Sequence, residues 1–290
     1  MFIDIHAHAW RRPDLLPARF FRFASPEQLL PKYEQIGIER ACVQPLVGPE
    51  VYLPQANEDI LEMAERWPER FIPFCNIDPR VLSNSVDAPL GDLLRFYKDM
   101  GCRGLGEFMP NLPFLDPLVR NVFKHCQDVG LPLCFDISDR VGGNYGLQDD
   151  PGLPQLEKTL QHFPKLNILC HGPAFWAEIG QLETPNDRAS YPKYPIKEEG
   201  VVPKMMRRYG NMLGDLSAGS GYNALNRDRA HGVRFLNEFQ DKLYFGTDIC
   251  APEQGAPMAD LLIEFRDSGK ISKETFNKIA RENAIRLLGL

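Results

Sequence analysis

Short apolar runs rich in β-branched and aromatic residues alternate along the chain with longer stretches in which apolar positions recur at helical spacing. A run of four to eight such residues bounded by turn signals reads as a buried strand, and a 3.6-residue period over ten or so residues reads as an amphipathic helix. The strand-type runs are 2–5, 40–46, 71–76, 104–108, 131–137, 167–171, 212–216 and 243–247, each expected to be fully buried, as parallel strands covered on both faces are. Between and after them lie helical stretches at 26–36, 55–67, 90–100, 117–129, 153–163, 202–209, 229–238 and 258–266. Gly37, Gly101 and Gly130 fall just past three of these helix ends, where a left-handed cap is wanted.

Eight strand–helix units over about 250 residues is the arithmetic of an α/β fold of the (β/α)8 TIM barrel type, whose chemistry sits at the carboxyl ends of the strands. A doubly wound sheet is the competing architecture. It would normally carry a glycine-rich phosphate loop after the first strand, and here that position reads His6-Ala7-His8. Two segments fall outside the repeat. Residues 173–200 are polar and punctuated by Pro185, Pro192 and Pro195, which reads as a long loop after strand 6 that covers the barrel mouth. Ser272 is placed to cap an additional C-terminal helix running to Leu288. The expectation is one domain, 1–290.

Composition narrows the class of partner. Of 290 residues 43% are hydrophobic and 25% charged, a globular balance that gives no case for disorder. Lysine and arginine number 33 against 39 acids, a net charge of −6, with no basic run, so nucleic acid and anionic membrane are not expected partners. No apolar stretch is long enough to span a bilayer, and no signal peptide is read. The seven cysteines include no CxxC pair, which argues against a disulfide framework or zinc knuckle and for a reducing, cytoplasmic compartment.

The strand ends carry the candidate chemistry. His6 and His8, one residue apart, send both imidazoles to the same face of the first strand, the interior of a barrel. Glu107, Asp136, His171 and Asp248 then close the fourth, fifth, sixth and eighth apolar runs. An isolated acid at a strand end is usually a solvated residue or a helix cap, but agreement among four ends argues for a site. Histidines with carboxylates from other strands make a mixed nitrogen and oxygen donor set, the composition of a catalytic rather than a structural zinc centre. Loop residues after the strands supply weaker substrate candidates. Arg140 suits an anion, Tyr145 lies in the glycine-rich stretch 142–146, Trp176 suits a loop anchor burying apolar area or substrate stacking alike, and Ser217, Ser220 and Tyr222 follow the seventh strand.

The sequence resembles the amidohydrolase superfamily, in the amidohydrolase 2 branch that includes aminocarboxymuconate-semialdehyde decarboxylase. The matching residues are Asp4-Ile5-His6-Ala7-His8, His171-Gly172, Phe245-Gly246-Thr247-Asp248 and the closing helix from Ile279 to Gly289. The resemblance implies that His6, His8 and Asp248 hold a divalent metal, zinc foremost. It also implies that His171 acts as base or electrophile, or as a ligand where two metals bind. Asp248, touching metal and water, would double as general base. The branch commonly has histidine at the end of the fifth strand, where this chain has Asp136, a harder and charged donor. Some relatives bridge two metals with a carboxylate from the region of Glu107, and one metal is expected ahead of two.

The function expected from this reading is a metal-dependent hydrolase that activates water to cleave an ester, lactone or amide bond in a small organic acid. The first alternative is a nonoxidative decarboxylase of a carboxylated unsaturated substrate. The second is a metal-free small-molecule binding protein on the same scaffold, motivated by Asp136. A small-molecule substrate is the expected partner, and a homodimer stays open because many such barrels pair.

Overall fold

A computed structural model describes residues 1–16, 22–50 and 54–290. Among the described residues eight parallel barrel strands run in chain order: β1 (Phe2–Ala7), β2 (Ile38–Val43), β3 (Phe71–Pro73), β4 (Leu105–Phe108), β5 (Leu133–Phe135), β6 (Ile168–Cys170), β7 (Met212–Asp215) and β8 (Leu243–Tyr244), and a separate short parallel pair, Ile137–Ser138 with Leu147–Gln148, lies in the connection after β5. β1, β2 and β3 pair in that order, as do β4 through β8. Two seams join these sets. Cys75 bridges to Leu105, and Ala7 bridges to Ile249, with the Ile5 N–H donating to the Phe245 carbonyl at 3.0 Å. The sheet therefore closes into the expected (β/α)8 barrel and has no free edge.

The strand runs are shorter than the apolar pattern predicts at every position but the first, where β1 extends through Ala7. The trimmed ends after β5 and β6 carry Asp136 and His171, whereas His6, Glu107 and Asp215 stay within their strands. The helices Pro26–Ile36, Pro117–Val129 and Arg229–Glu238 match the sequence reading at both ends. Gly130 ends the second of these at φ 74°, a left-handed cap that a residue with a Cβ rarely adopts.

Ile3, Ile5, Cys42, Ile72, Phe74, Cys134, Leu169, Leu213 and Tyr244 fill the barrel interior as one buried cluster, to which Ala284 and Leu288 also belong. The C-terminal helical segment, from Lys273 to Leu288, thus packs under the barrel; Ser272 caps its start by accepting the Thr275 N–H at 2.9 Å. Asn283 fastens it by donating to the Leu243 carbonyl at 2.8 Å. This plug leaves the opposite end, where the strands finish, as the open mouth.

The structure corrects two sequence expectations. Residues 173–200 are not a plain loop: a helical turn, Pro173–Trp176, and two 3-10 turns, Ala177–Ile179 and Pro185–Ala189, give the segment structure. Arg188 is buried, donates to Glu178 at 2.6 Å and to the Asp149 carbonyl at 2.6 Å, and so pins this segment to the connection after β5. The residues after β7 are also helical, Ala218–Asn226, where a loop was expected; its small residues, Ala218-Gly219-Ser220-Gly221, carry no strong apolar period to announce a helix.

Candidate metal centre

β1 delivers the two histidines. Its pairing with β2 is irregular after Phe2 and between Asp4 and Ala7, and such bulges re-aim side chains locally. His6 and His8 end with their Nε2 atoms 3.1 Å apart, both rings buried. Each has its other nitrogen held. His6 Nδ1 lies 2.6 Å from Asp215 Oδ2, and His8 Nδ1 lies 2.8 Å from the Gln44 carbonyl oxygen. An acceptor on Nδ1 fixes that nitrogen as the N–H and leaves Nε2 with its lone pair, the form in which histidine ligates metal.

Carboxylates from other strands face those lone pairs. Asp248 Oδ1 stands 3.2 Å from His8 Nε2 and 3.7 Å from His6 Nε2. Glu107 Oε2 stands 3.5 and 3.7 Å from the same two atoms. Donors about 2.1 Å from a shared ion stand about 3–4 Å from one another, so this spacing suits one cation among His6, His8, Asp248 and Glu107. The set mixes neutral nitrogen with carboxylate oxygen, which fits a divalent ion of the manganese, iron or zinc kind. Asp248 adopts φ 55°, a left-handed conformation uncommon for a residue with a side chain and characteristic of functional positions. Its N–H donates to the His6 carbonyl at 2.8 Å, tying the ends of the first and eighth strands together.

The remaining candidates form a neighbouring group. His171 Nδ1 lies 2.9 Å from Ser217 Oγ and 3.5 Å from Asp215 Oδ2, and its Nε2 faces Glu107 and Asp136. Gly172 lets the chain pass here: it sits at φ 102°, and a Cβ would stand 2.6 Å from an Asp136 carboxylate oxygen.

The electrostatics follow the geometry. Burial alone would lower His8, but Asp248 and Glu107 outweigh it and push the imidazole up to about 9. Burial would raise Glu107, yet His6, His8 and His171 hold it well below the usual carboxylate range. Asp136 goes well above that range, through burial and then the charges of Glu107 and Asp248. Asp4 is raised to about 7 by complete burial, against the stabilising Thr247 hydroxyl 2.6 Å away. That bond joins β1 to the segment after β8 just beneath the candidate donors.

All six sequence-predicted ligands, His6, His8, Glu107, Asp136, His171 and Asp248, thus gather at the mouth. The substrate candidates fare differently. Tyr145 stands half exposed beside the centre, its phenol raised by the charge of Asp136, then by burial and Glu107. Arg140 is exposed and pairs with its neighbour Asp139 at 3.2 Å, so its charge is already partly committed. Trp176 is not a stacking platform: it is buried against Phe175 and Phe235 and donates its indole N–H to the Asp215 carbonyl at 2.8 Å. Ser217 and Ser220 are buried, and Ser217 spends its hydroxyl on His171. Tyr222 lies on the unexpected helix, half-buried against the core.

Two residues at the site were missed. Asp215, fully buried, closes β7 after an apolar run, the same signal that identified Glu107 and Asp136; reading that run through Leu216 hid it. Tyr191, from the segment after β6, is raised by burial and by the charges of Asp248 and Asp136, which puts its half-exposed phenol at the mouth. No periodic signal in residues 173–200 marks it.

The fold and the gathered donors define a (β/α)8 barrel with a metal-type site at its mouth. The model of the Amidohydrolase family, Amidohydro_2, matches residues 3–290, and the chain belongs to that family. Among curated proteins no match is found. Solved structures resemble it over nearly their whole length. 5-Carboxyvanillate decarboxylase from Sphingomonas paucimobilis aligns with a TM-score of 0.63 at 14% identity, covering 100% of this chain and 99% of that one. 2,6-Dihydroxybenzoate decarboxylase from Rhizobium aligns with a TM-score of 0.60 at 17% identity, covering 99% and 98%. Dihydroxybenzoic acid decarboxylase from Polaromonas, with bound manganese and the inhibitor 2-nitroresorcinol, aligns with a TM-score of 0.56 at 16% identity, covering 100% and 97%. At these identities the likeness shows the shared fold.

Proposed function

We propose that this chain is a divalent-metal-dependent nonoxidative decarboxylase of a small hydroxylated aromatic or unsaturated carboxylic acid. The observation that carries the reading is the convergence of His6 Nε2, His8 Nε2 and Asp248 Oδ1 within a few ångströms of each other at the barrel mouth. The decarboxylases that share the fold, one of them with manganese and an aromatic inhibitor, support the choice of reaction. Bound among these donors, a divalent cation supplies positive charge that holds the substrate oxygens and stabilises negative charge developing on them.

The protein's own part is binding and proton transfer. Replacing a carboxylate by hydrogen requires a proton at the carbon that loses carbon dioxide. The carbon–carbon bond breaks, its electron pair returns to the unsaturated system, and the proton comes from a carboxyl group. Asp248 suits this role best, because its side chain is 27% exposed while Glu107 and Asp136 are 6% and 7% exposed. Tyr145 and Tyr191, phenols beside the same carboxylates, offer hydrogen bonds and ring faces to an aromatic acid.

Hydrolysis is the second reading, favoured by the contact of Asp248 Oδ1 with the ligand nitrogens, where a carboxylate can take a proton from attacking water. One experiment separates the two. Manganese-loaded protein is incubated with hydroxylated benzoates, unsaturated diacids, lactones and esters, in deuterium oxide or in water enriched in heavy oxygen. Decarboxylation releases carbon dioxide and leaves one deuterium on carbon; hydrolysis puts heavy oxygen into the acid produced. Heavy oxygen without carbon dioxide release overturns the leading reading. Turnover without added or retained metal overturns both.

A further inference from the structure

We propose that Asn111 is a positioning residue for substrate binding: it fixes the exposed loop 140–146 and so sets Tyr145 at the barrel mouth. This rests on the reading above, in which substrate binds at the mouth, and adds a residue outside the donor set that shapes its site.

Packing does little to hold this loop. Val141 and Tyr145 are 57% and 49% exposed, and Gly142 and Gly143 stand in open space, where an added Cβ would meet nothing within 4 Å. A cleft of about 640 Å³ lies between the loop and Pro49, Glu50 and Asn111, so no apolar core backs it on that side. A segment that buries so little apolar surface takes its order from hydrogen bonds. Ser138 closes the base of the loop, its hydroxyl donating to the Arg140 carbonyl at 2.8 Å and accepting from the Asn144 side-chain amide at 2.9 Å.

Asn111 reaches the loop from the segment after β4. Its side-chain nitrogen donates to the carbonyls of Arg140 at 3.0 Å and Gly146 at 3.2 Å, and its oxygen accepts the Gly142 N–H. One amide thus uses both its donors and an acceptor site on three points of the loop backbone. Asn111 is itself held, because its backbone N–H donates to Glu50 Oε1 at 3.0 Å, and Arg80, paired with Asp78, stands 4.0 Å from the same oxygen. Glu50 follows β2 and Arg80 follows β3, so the connections after four successive strands are joined through this residue.

Tyr145 sits where the fixing matters. Gly146 lies so close to the end of β5 that a Cβ would stand 3.0 Å from the Asp136 carbonyl carbon, and the Leu147 N–H donates to the Asp136 carbonyl at 2.8 Å. The chain is therefore fastened beside Asp136 just after Tyr145, while Asn111 fastens it at Gly146 and again at Gly142. Between those points the phenol stands within reach of the Asp136 charge. A loosened loop would carry it away from the mouth into solvent.

The test uses full-length, manganese-loaded protein and the acid that the screen above identifies. In Asn111→Ala, hydrogen exchange followed by mass spectrometry should quicken across 140–146, while kcat and bound manganese hold. KM should rise about fivefold, the effect of losing one hydrogen bond to substrate. Tyr145→Ala should raise KM at least as much, and the double variant should match Tyr145→Ala, because both changes remove the same contact. Asn111→Asp, which keeps an acceptor for Gly142 and loses both donors, should repeat the rise if the alanine variant does not fold. Quickened exchange with unchanged KM makes Asn111 purely structural and overturns the inference, as does a double variant whose KM shows the product of the two single effects. Unchanged exchange in Asn111→Ala overturns it as well. A wild type that turns over none of the acids tested overturns the reading above together with this inference.

Discussion

His6 Nδ1 and Asp215 Oδ2 lie 2.6 Å apart with both side chains fully buried, although 209 residues separate them in the chain. Burial tends to drive charge off both groups, but each stabilises the other's ionic form. The His6 imidazole sits well above its ordinary value, with Cys134 and Asp215 outweighing desolvation, and Asp215 sits below the usual carboxylate range, with His6 foremost in holding it there. The pair fixes the ring and makes its Nε2 a better donor.

The Asp215→Asn variant should therefore keep its fold and lose metal affinity. An amide is nearly the same shape, but it supplies no charge to hold the imidazole in its ligating tautomer. The expected loss is about 10–100-fold in Kd, the usual effect of removing a partner behind a ligand histidine. Calorimetric titration of manganese(II) into stripped protein measures it; an unchanged Kd would remove Asp215 from the metal centre.

Asp248 should matter for turnover beyond its contribution to binding. In Asp248→Asn one ligand oxygen survives as the amide carbonyl, while the group able to carry a proton is gone. With metal supplied in excess, kcat should fall about 10²–10⁴-fold, the usual contribution of a positioned acid or base. The check is kcat at saturating manganese beside a thermal melt, and full activity in a folded, metal-loaded variant would remove the proton-carrying role.

Much of this site was legible in the sequence because a parallel barrel repeats one local rule: an apolar run ends and a polar side chain emerges at the mouth. His6, His8, Glu107, Asp136, His171 and Asp248 all obey it, and all meet. Asp215 obeys it too, but Leu216 prolongs the apolar run past it and masks the strand end. Trp176 follows His171 closely in sequence, which suggested the mouth. The helical turn Pro173–Trp176 instead carries its ring into the core, where the indole N–H finds the Asp215 carbonyl. Tyr191 was illegible for a different reason. Its place depends on the buried Arg188–Glu178 pair that pins the segment, a long-range contact that no local period encodes.

Tyr191 gives a prediction specific to substrate handling. The phenol stands half exposed near Asp248 and Asp136 and packs beside Gly219, outside the ligand set. Tyr191→Phe keeps the ring and removes the hydroxyl, so metal content and melting temperature should not move. KM should rise about fivefold, the equivalent of one hydrogen bond of about 1 kcal/mol, with a smaller effect on kcat. A fall in kcat alone, at unchanged KM, would instead place the hydroxyl in the chemical step.

Asp149 predicts how stability depends on pH. Its carboxylate is buried beneath the pinned segment and accepts three backbone N–H groups, from Asp150 at 2.8 Å, Gln155 at 3.0 Å and Leu156 at 2.8 Å. Burial outweighs those bonds and raises the group from 3.8 to about 6. A folded-state value above the unfolded one means the folded state binds the proton more tightly. The stability this contributes is complete below about pH 4 and is lost as pH rises through about 6. A rise of that size bounds the loss at roughly 3 kcal/mol. Asp149→Asn cannot titrate, so it should lack this slope while carrying a constant offset from its altered bonds to the helix Pro154–His162. The melting temperature of the wild type minus that of the variant should fall between about pH 4 and about pH 6.5 and stay level above, at constant ionic strength. A difference that stays flat across this range, or that rises with pH, would show that Asp149 is ionised in the fold without penalty, and that the hydrogen bonds rather than burial govern its charge.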